Sequence, residues 1–108
     1  MRWRVAWEQK AGREVHARLD LWRNYLMDYR QSPEVHADEY LHEVRWRVIL
    51  NLLFDELPAP PSEAEALAGL DQLLQASFLP GDFIWEEDLM PGFPQQAYWF
   101  LYGRLKSN

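Results

Sequence analysis

If this chain binds a metal, Glu39 and His42 are the pair that would begin the site. A Glu-x-x-His spacing puts a carboxylate and an imidazole on one face of a helix, and carboxylate-bridged dimetal bundles are built from that unit. Those bundles use the unit twice and add two further glutamates. Here it occurs once, so a second copy would have to come from a symmetric partner chain. Against a metal, Glu39 and His42 stand among Asp38 and Glu43 on what reads as a solvated face, and Asp38 is placed for an ordinary i, i+4 contact with His42. His36 lies six residues before His42, off a shared face, and His16 has Asp20 one turn later. Three histidines on two helices could converge on zinc. No ligand spacing favours that, and the expectation is surface histidines beside carboxylates, with no cofactor.

Other chemistries find less support. Ser32 and Ser62 read as helix caps, and no serine stands in a Gly-x-Ser-x-Gly elbow. The five glycines never cluster into a phosphate-cradling loop. Glu86, Glu87 and Asp88 could do acid–base work only if two of them met in a pocket, and adjacent side chains fan apart. Arg2, Arg4, Arg45 and Arg47 interleave with Trp3 and Trp46, a combination that can grip phosphates and stack on bases. Nearby Glu8, Glu14, Asp38 and Glu43 and a pI near 4.9 favour salt bridges between helices with buried indoles instead.

The segment 79–94 is the most distinctive stretch. Pro-Gly dipeptides sit at both ends, and Phe83, Ile84, Trp85, Leu89, Met90 and Phe93 alternate with carboxylates between them. It reads as an ordered acidic-aromatic loop, with room for one helical turn. So many large apolar groups either fold back and close the core or stay exposed as a docking surface. The two can share the segment, with Phe83 and Leu89 turned inward and Trp85, Glu86 and Glu87 outward. Trp85, Glu86, Glu87, Asp88, Met90 and Phe93 are the candidate partner-binding residues.

Charge points to the same half of the chain. The net charge is −6, yet residues 1–50 balance to +1 and residues 51–108 to −7. No Lys or Arg occurs between Asp55 and Gly103. Such a surface repels nucleic-acid phosphates and anionic membranes and attracts basic partners; plain solubility is the competing explanation. The absence of cysteine excludes disulfides, thiolate metal sites and Cys nucleophiles and is compatible with a cytoplasmic location. No apolar run follows Met1 to suggest a signal peptide. The longest apolar stretch, Val48 to Phe54 interrupted by Asn51, falls far short of the roughly 20 residues of a membrane span.

Helices must position these groups. Val15, Leu19, Trp22, Leu26 and Tyr29 recur at spacings of 4, 3, 4 and 3, one stripe along a first helix over residues 5–30. Trp7 and Ala11 extend it backwards, Gly12 weakens it by roughly 1 kcal/mol, and residues 1–8 have an extended start as an alternative. A second helix begins at Ser32-Pro33 with Ala37, Leu41, Val44 and Val48 as its stripe. It turns apolar on nearly every side from Val48 to Leu57 and ends at Pro58, Pro60 and Pro61. The apolar half must be buried inside the domain or in a homodimer. A third helix starts at Ser62, with Ser62 and Glu65 spaced as a capping box and Leu67, Leu70, Leu74 and Phe78 as its stripe. Residues 95–106 read as a fourth helix, with a strand as the alternative because aromatic runs also suit strands.

The expected fold is therefore all-α: one domain over residues 1–108, a compact irregular bundle of three or four helices with the acidic-aromatic loop before the C-terminal helix. The expected function is a non-enzymatic protein-interaction module whose acidic C-terminal surface meets a basic protein partner, with no nucleic acid or membrane involved. The alternatives are a metal-dependent helical-bundle enzyme using Glu39 and His42, and an acidic decoy imitating nucleic acid.

Overall fold

The computed structural model describes the backbone of residues 2–56 and 61–107 and the side chains of residues 12–56 and 62–107. The chain is mostly helical. Helix α1 spans Arg2–Gln31, α2 Pro33–His36, α3 Tyr40–Glu43, α4 Arg45–Glu56 and α5 Pro61–Ser77. Strands β1 (Phe78–Phe83) and β2 (Tyr102–Leu105) form one antiparallel pair, and short 3-10 turns occupy Ala37–Glu39, Glu87–Gly92 and Trp99–Leu101. No helix among the described residues is long and apolar enough to cross a membrane.

The α1 stripe lies where its periodicity puts it: Val15, Leu19, Trp22, Leu26 and Tyr29 are all buried, joined by Tyr25. Helix runs back to Arg2, so residues 2–8 are not extended. The side chains of Arg2, Trp3, Arg4, Trp7 and Ala11 lie outside the described residues, as do Leu57, Pro58 and Pro60.

The second helix is broken. Between Pro33 and Glu56 the chain passes through α2, a 3-10 turn, α3 and a turn at Val44 before α4. The 3-10 turn alters which face is buried. Three steps of about 120° in place of about 100° add roughly 60° of rotation, which brings Tyr40 rather than Leu41 into line behind Ala37. Tyr40 is accordingly buried at 2% exposure and Leu41 stands out at 53%, while Val44 and Val48 keep their expected burial. Ser32 occupies the cap of α2 ahead of Pro33, but its side chain makes no capping bond. Beyond Val48, Leu50 is buried, Ile49, Leu53 and Phe54 are half-buried, and Leu52 is exposed.

In α5, Leu67, Leu70 and Leu74 face the core. Ser62 lies inside the first turn rather than at the cap, and its hydroxyl donates to the Glu63 carboxylate at 2.6 Å, so it does not form a capping box with Glu65. That bond holds the Glu63 carboxyl below its usual range.

Residues 95–106 are not a helix. They form the 3-10 turn Trp99–Leu101 and strand β2, which pairs Phe78 with Leu105, Leu79 with Arg104, Pro80 with Gly103 and Phe83 with Tyr102. Pro80, having no N–H for the ladder, sits where the register shifts. Pro80-Gly81 is thus part of a strand and does not close the helix before it. Gly103 is required by close approach: a Cβ there would lie 2.4 Å from both the Leu79 carbonyl oxygen and the Phe78 ring.

An ion pair joins α4 to α5, and its arginine also meets this C-terminal segment. Arg47, 6% exposed, donates from Nε and Nη2 to the two carboxylate oxygens of Asp71, each at 2.9 Å. Its guanidinium carbon also lies 4.5 Å from the centre of the Phe100 ring. Beside it the Tyr40 hydroxyl donates to the Phe100 carbonyl. Burial, helped by Tyr25 and Asp71 and opposed by the Arg47 charge, raises the Tyr40 phenol well above its ordinary value near 10.

Two outcomes follow. Asp71→Ala strands the Arg47 charge and should cost about 3 kcal/mol in chemical denaturation, whereas Arg47→Met with Asp71→Leu should lie much closer to the parent. Because the folded state holds the Tyr40 proton more tightly than the unfolded chain does, the stability this provides is complete below pH ~10 and falls as pH rises beyond it. Denaturation series from pH 8 to 11 should show that decline, and Tyr40→Phe should make it shallower.

Candidate functional site

Residues 83–102 owe their shape to side-chain ties. The strand pair holds Phe83 against Tyr102, with ring centres 5.2 Å apart. Backbone continues from Ile84 N–H to the Leu101 carbonyl at 2.9 Å. The Trp85 indole N–H then donates to the Leu41 carbonyl at 2.9 Å, fastening the start of the loop to α3. Phe93 packs edge-on against Trp85 at 5.5 Å and against Tyr98 at 5.0 Å. The Tyr102 hydroxyl donates to the Phe93 carbonyl at 2.7 Å. These contacts close the loop 84–101 over the end of the core.

An open groove of about 530 Å³ lies between the sheet and the 3-10 turn Glu87–Gly92, lined by Gly81, Asp82, Phe83, Trp85, Glu87, Met90, Gln95 and Tyr102. Its apolar surface comes from three half-buried aromatic rings, Phe83, Trp85 and Tyr102, and from the exposed Met90 side chain. Its charged groups are the exposed carboxylates of Asp82 and Glu87, and no basic residue lines it.

Of the six candidate residues, Trp85, Glu87 and Met90 line this groove. Glu86 and Asp88 are exposed on the turn but outside the lining, and Phe93 is half-buried beneath it. The assignment of sides also differs from the expectation. Phe83 packs inward, but Leu89 is 45% exposed, and Trp85 packs against the core rather than standing free. The indole N–H decides this for Trp85, because its bond to Leu41 orients the ring across the loop.

Gly81, Asp82, Phe83, Gln95 and Tyr102 line the groove but are not among the site residues read from the sequence, where Phe83 is turned wholly inward. Asp82 next to Phe83, on the strand side of the acidic run, was a usable signal. Tyr102 carried none, since only strand pairing brings it beside Phe83.

Glu39 and His42 do not face a common ligand. Glu39 is exposed and engages His36 Nδ1, and His42 Nε2 meets the Arg45 guanidinium. His16 pairs with Asp20 at 3.4 Å on the outside of α1. Among the described residues no group of three or more His, Asp or Glu side chains is placed to hold a metal ion. Arg45 lies over the Trp46 ring at 4.2 Å, and the Trp46 indole donates to Glu43 at 2.8 Å. Arg47 is committed to Asp71.

Compared with protein-family models, with curated proteins and with solved structures, the chain matches none of them.

The Trp85 tie is testable by itself. Trp85→Phe keeps an aromatic ring and removes the indole donor, leaving the Leu41 carbonyl to solvent. Thermal or chemical denaturation should register a loss of about 1 kcal/mol with the far-ultraviolet spectrum unchanged.

Proposed function

We propose that this chain is a non-enzymatic helical interaction module of the cytoplasm that binds a protein partner with a basic surface through its acidic, aromatic C-terminal face. The observation that carries the proposal is the groove itself: three half-buried aromatic rings, the exposed side chain of Met90 and the exposed carboxylates of Asp82 and Glu87 share its lining, and no basic residue does. It lies within the half of the chain that carries a charge of −7. Apolar area supplies affinity and the carboxylates supply orientation and a fast encounter with a positive surface.

The ordered loop supports this use. Trp85, Phe93 and Tyr102 are each held by a hydrogen bond or by ring packing, so the groove needs little ordering when a partner arrives. Leu89 and Met90 are 45% and 38% exposed beside Glu87 and Asp88 and extend the contact area.

The experiment is affinity capture of the tagged protein from lysate of its own host, beside a Glu87→Lys, Met90→Ala variant. Both substitutions are on exposed side chains and should leave the fold intact. A stoichiometric partner retained by the parent and lost by the variant is the expected result. Capture unchanged by the variant would overturn the assignment of this face. Binding that vanishes between low and moderate salt would instead indicate the purely electrostatic contact of a nucleic-acid mimic, since an apolar anchor is far less sensitive to screening.

A further inference from the structure

The groove's residues are suited to a narrower class of ligand than basic proteins in general. A guanidinium is planar, weakly hydrated and able both to stack on an aromatic face and to fork onto a carboxylate. Phe83, Trp85 and Tyr102 offer the faces, and Asp82 and Glu87 the carboxylates, within one concavity of about 530 Å³. Asp82 and Glu87 are exposed and belong to no ion pair among the described residues, so neither is already neutralised by the fold. Arg104, the one basic residue of the two strands, lies outside the lining.

A volume of that size exceeds one side chain, and the surface continues. A second open groove of about 420 Å³ is lined by Gln75, Phe78, Pro80, Gln95, Trp99 and Tyr102. It shares Gln95 and Tyr102 with the first, so the two adjoin across that pair. The second holds no charged residue; its walls are aromatic rings, a proline and two amides. One half of the track therefore suits a cation and the other a neutral apolar group.

We propose that the two grooves form one peptide track: an arginine of an extended segment of the partner seats among Phe83, Trp85, Tyr102, Asp82 and Glu87, and a neighbouring apolar side chain seats against Phe78 and Trp99. This rests on the interaction-module reading above and names the chemistry the partner must present. Charge complementarity selects the arginine. The guanidinium is preferred to an ammonium because it can stack on a ring while keeping its in-plane N–H groups for the carboxylates.

The test uses defined probes and the intact chain labelled with 15N. Nα-acetyl-Arg-Leu-amide is titrated while amide and indole resonances are followed, beside the citrulline analogue, which has nearly the same shape without the charge, and beside Nα-acetyl-Arg-Gly-amide. The expected result is saturable shifts at Gly81, Tyr102 and the Trp85 and Trp99 indoles. The citrulline peptide and the Asp82→Asn, Glu87→Gln variant should each bind at least about fivefold more weakly. The glycine peptide should leave the Trp99 indole unmoved. No saturable shift, equal response to arginine and citrulline, or shifts spread over the whole acidic surface would overturn the proposal. Equal binding of the leucine and glycine peptides would overturn the second subsite. A stoichiometric partner lost with Glu87→Lys, Met90→Ala but no response to the arginine probes would sink this inference and leave the module standing. A localised arginine response with no such partner would do the reverse.

Discussion

The C-terminal third of this protein depends on a guanidinium that has been taken out of water. Arg47 of α4 is held by both oxygens of Asp71 on α5 while its plane lies over Phe100 of the segment entering β2. Two successive helices and the segment entering β2 therefore meet at one charge. Such a pair adds little net stability over a well-packed apolar substitute, because desolvation offsets most of the attraction. Its consequence is positional. With Arg47 buried, the helices cannot slide relative to one another without stranding a charge, and Phe100 has a defined seat.

Around that seat, the aromatic residues do more than fill space. Irregular backbone leaves carbonyls without helical or ladder partners, and buried carbonyls must be satisfied. Tyr25 donates to the His36 carbonyl, Tyr29 to Lys106, Tyr40 to Phe100, Trp85 to Leu41 and Tyr102 to Phe93. Each ring is packed in or against the core while its polar tip reaches a carbonyl in a one-turn helix, a 3-10 turn or a non-repetitive stretch. Most of the tyrosine content and one tryptophan are thus accounted for by loop fastening. The Trp22 indole is an exception, fully buried with no hydrogen-bond partner for its N–H among the described residues.

The same fastening makes the groove. Phe83 and Tyr102 line it where β1 and β2 pair, Asp82 comes from β1 and Glu87 from the 3-10 turn, and the Tyr102 hydroxyl ties the residue after that turn, Phe93, to β2. A surface so supported differs from a flexible acidic tail, which attracts cations equally along its length. Here the carboxylates of Asp82 and Glu87 share one concavity with the rings of Phe83, Trp85 and Tyr102, so charge and shape are set together by the fold.

Much of this was determined by the sequence itself. A long first helix with Val15, Leu19, Trp22, Leu26 and Tyr29 inward, a helix with Leu67, Leu70 and Leu74 inward, and an acidic, aromatic C-terminal half all follow from periodicity and charge, which are local properties, whereas Phe78, read as the last residue of that stripe, begins β1 instead. Tertiary structure decided the rest. A 3-10 turn after His36 rotated the buried face from Leu41 to Tyr40, an adjustment worth keeping because Tyr40 then reaches the Phe100 carbonyl. Residues 102–105 became a strand because β1 offered a ladder and Gly103 allowed its backbone to approach Leu79 and Phe78, neither of which the aromatic run encodes. Trp85 turned inward because a carbonyl 44 residues earlier lacked a donor. Periodicity reports which side of an element is apolar, whereas the partner that each polar tip finds is settled only when distant segments meet.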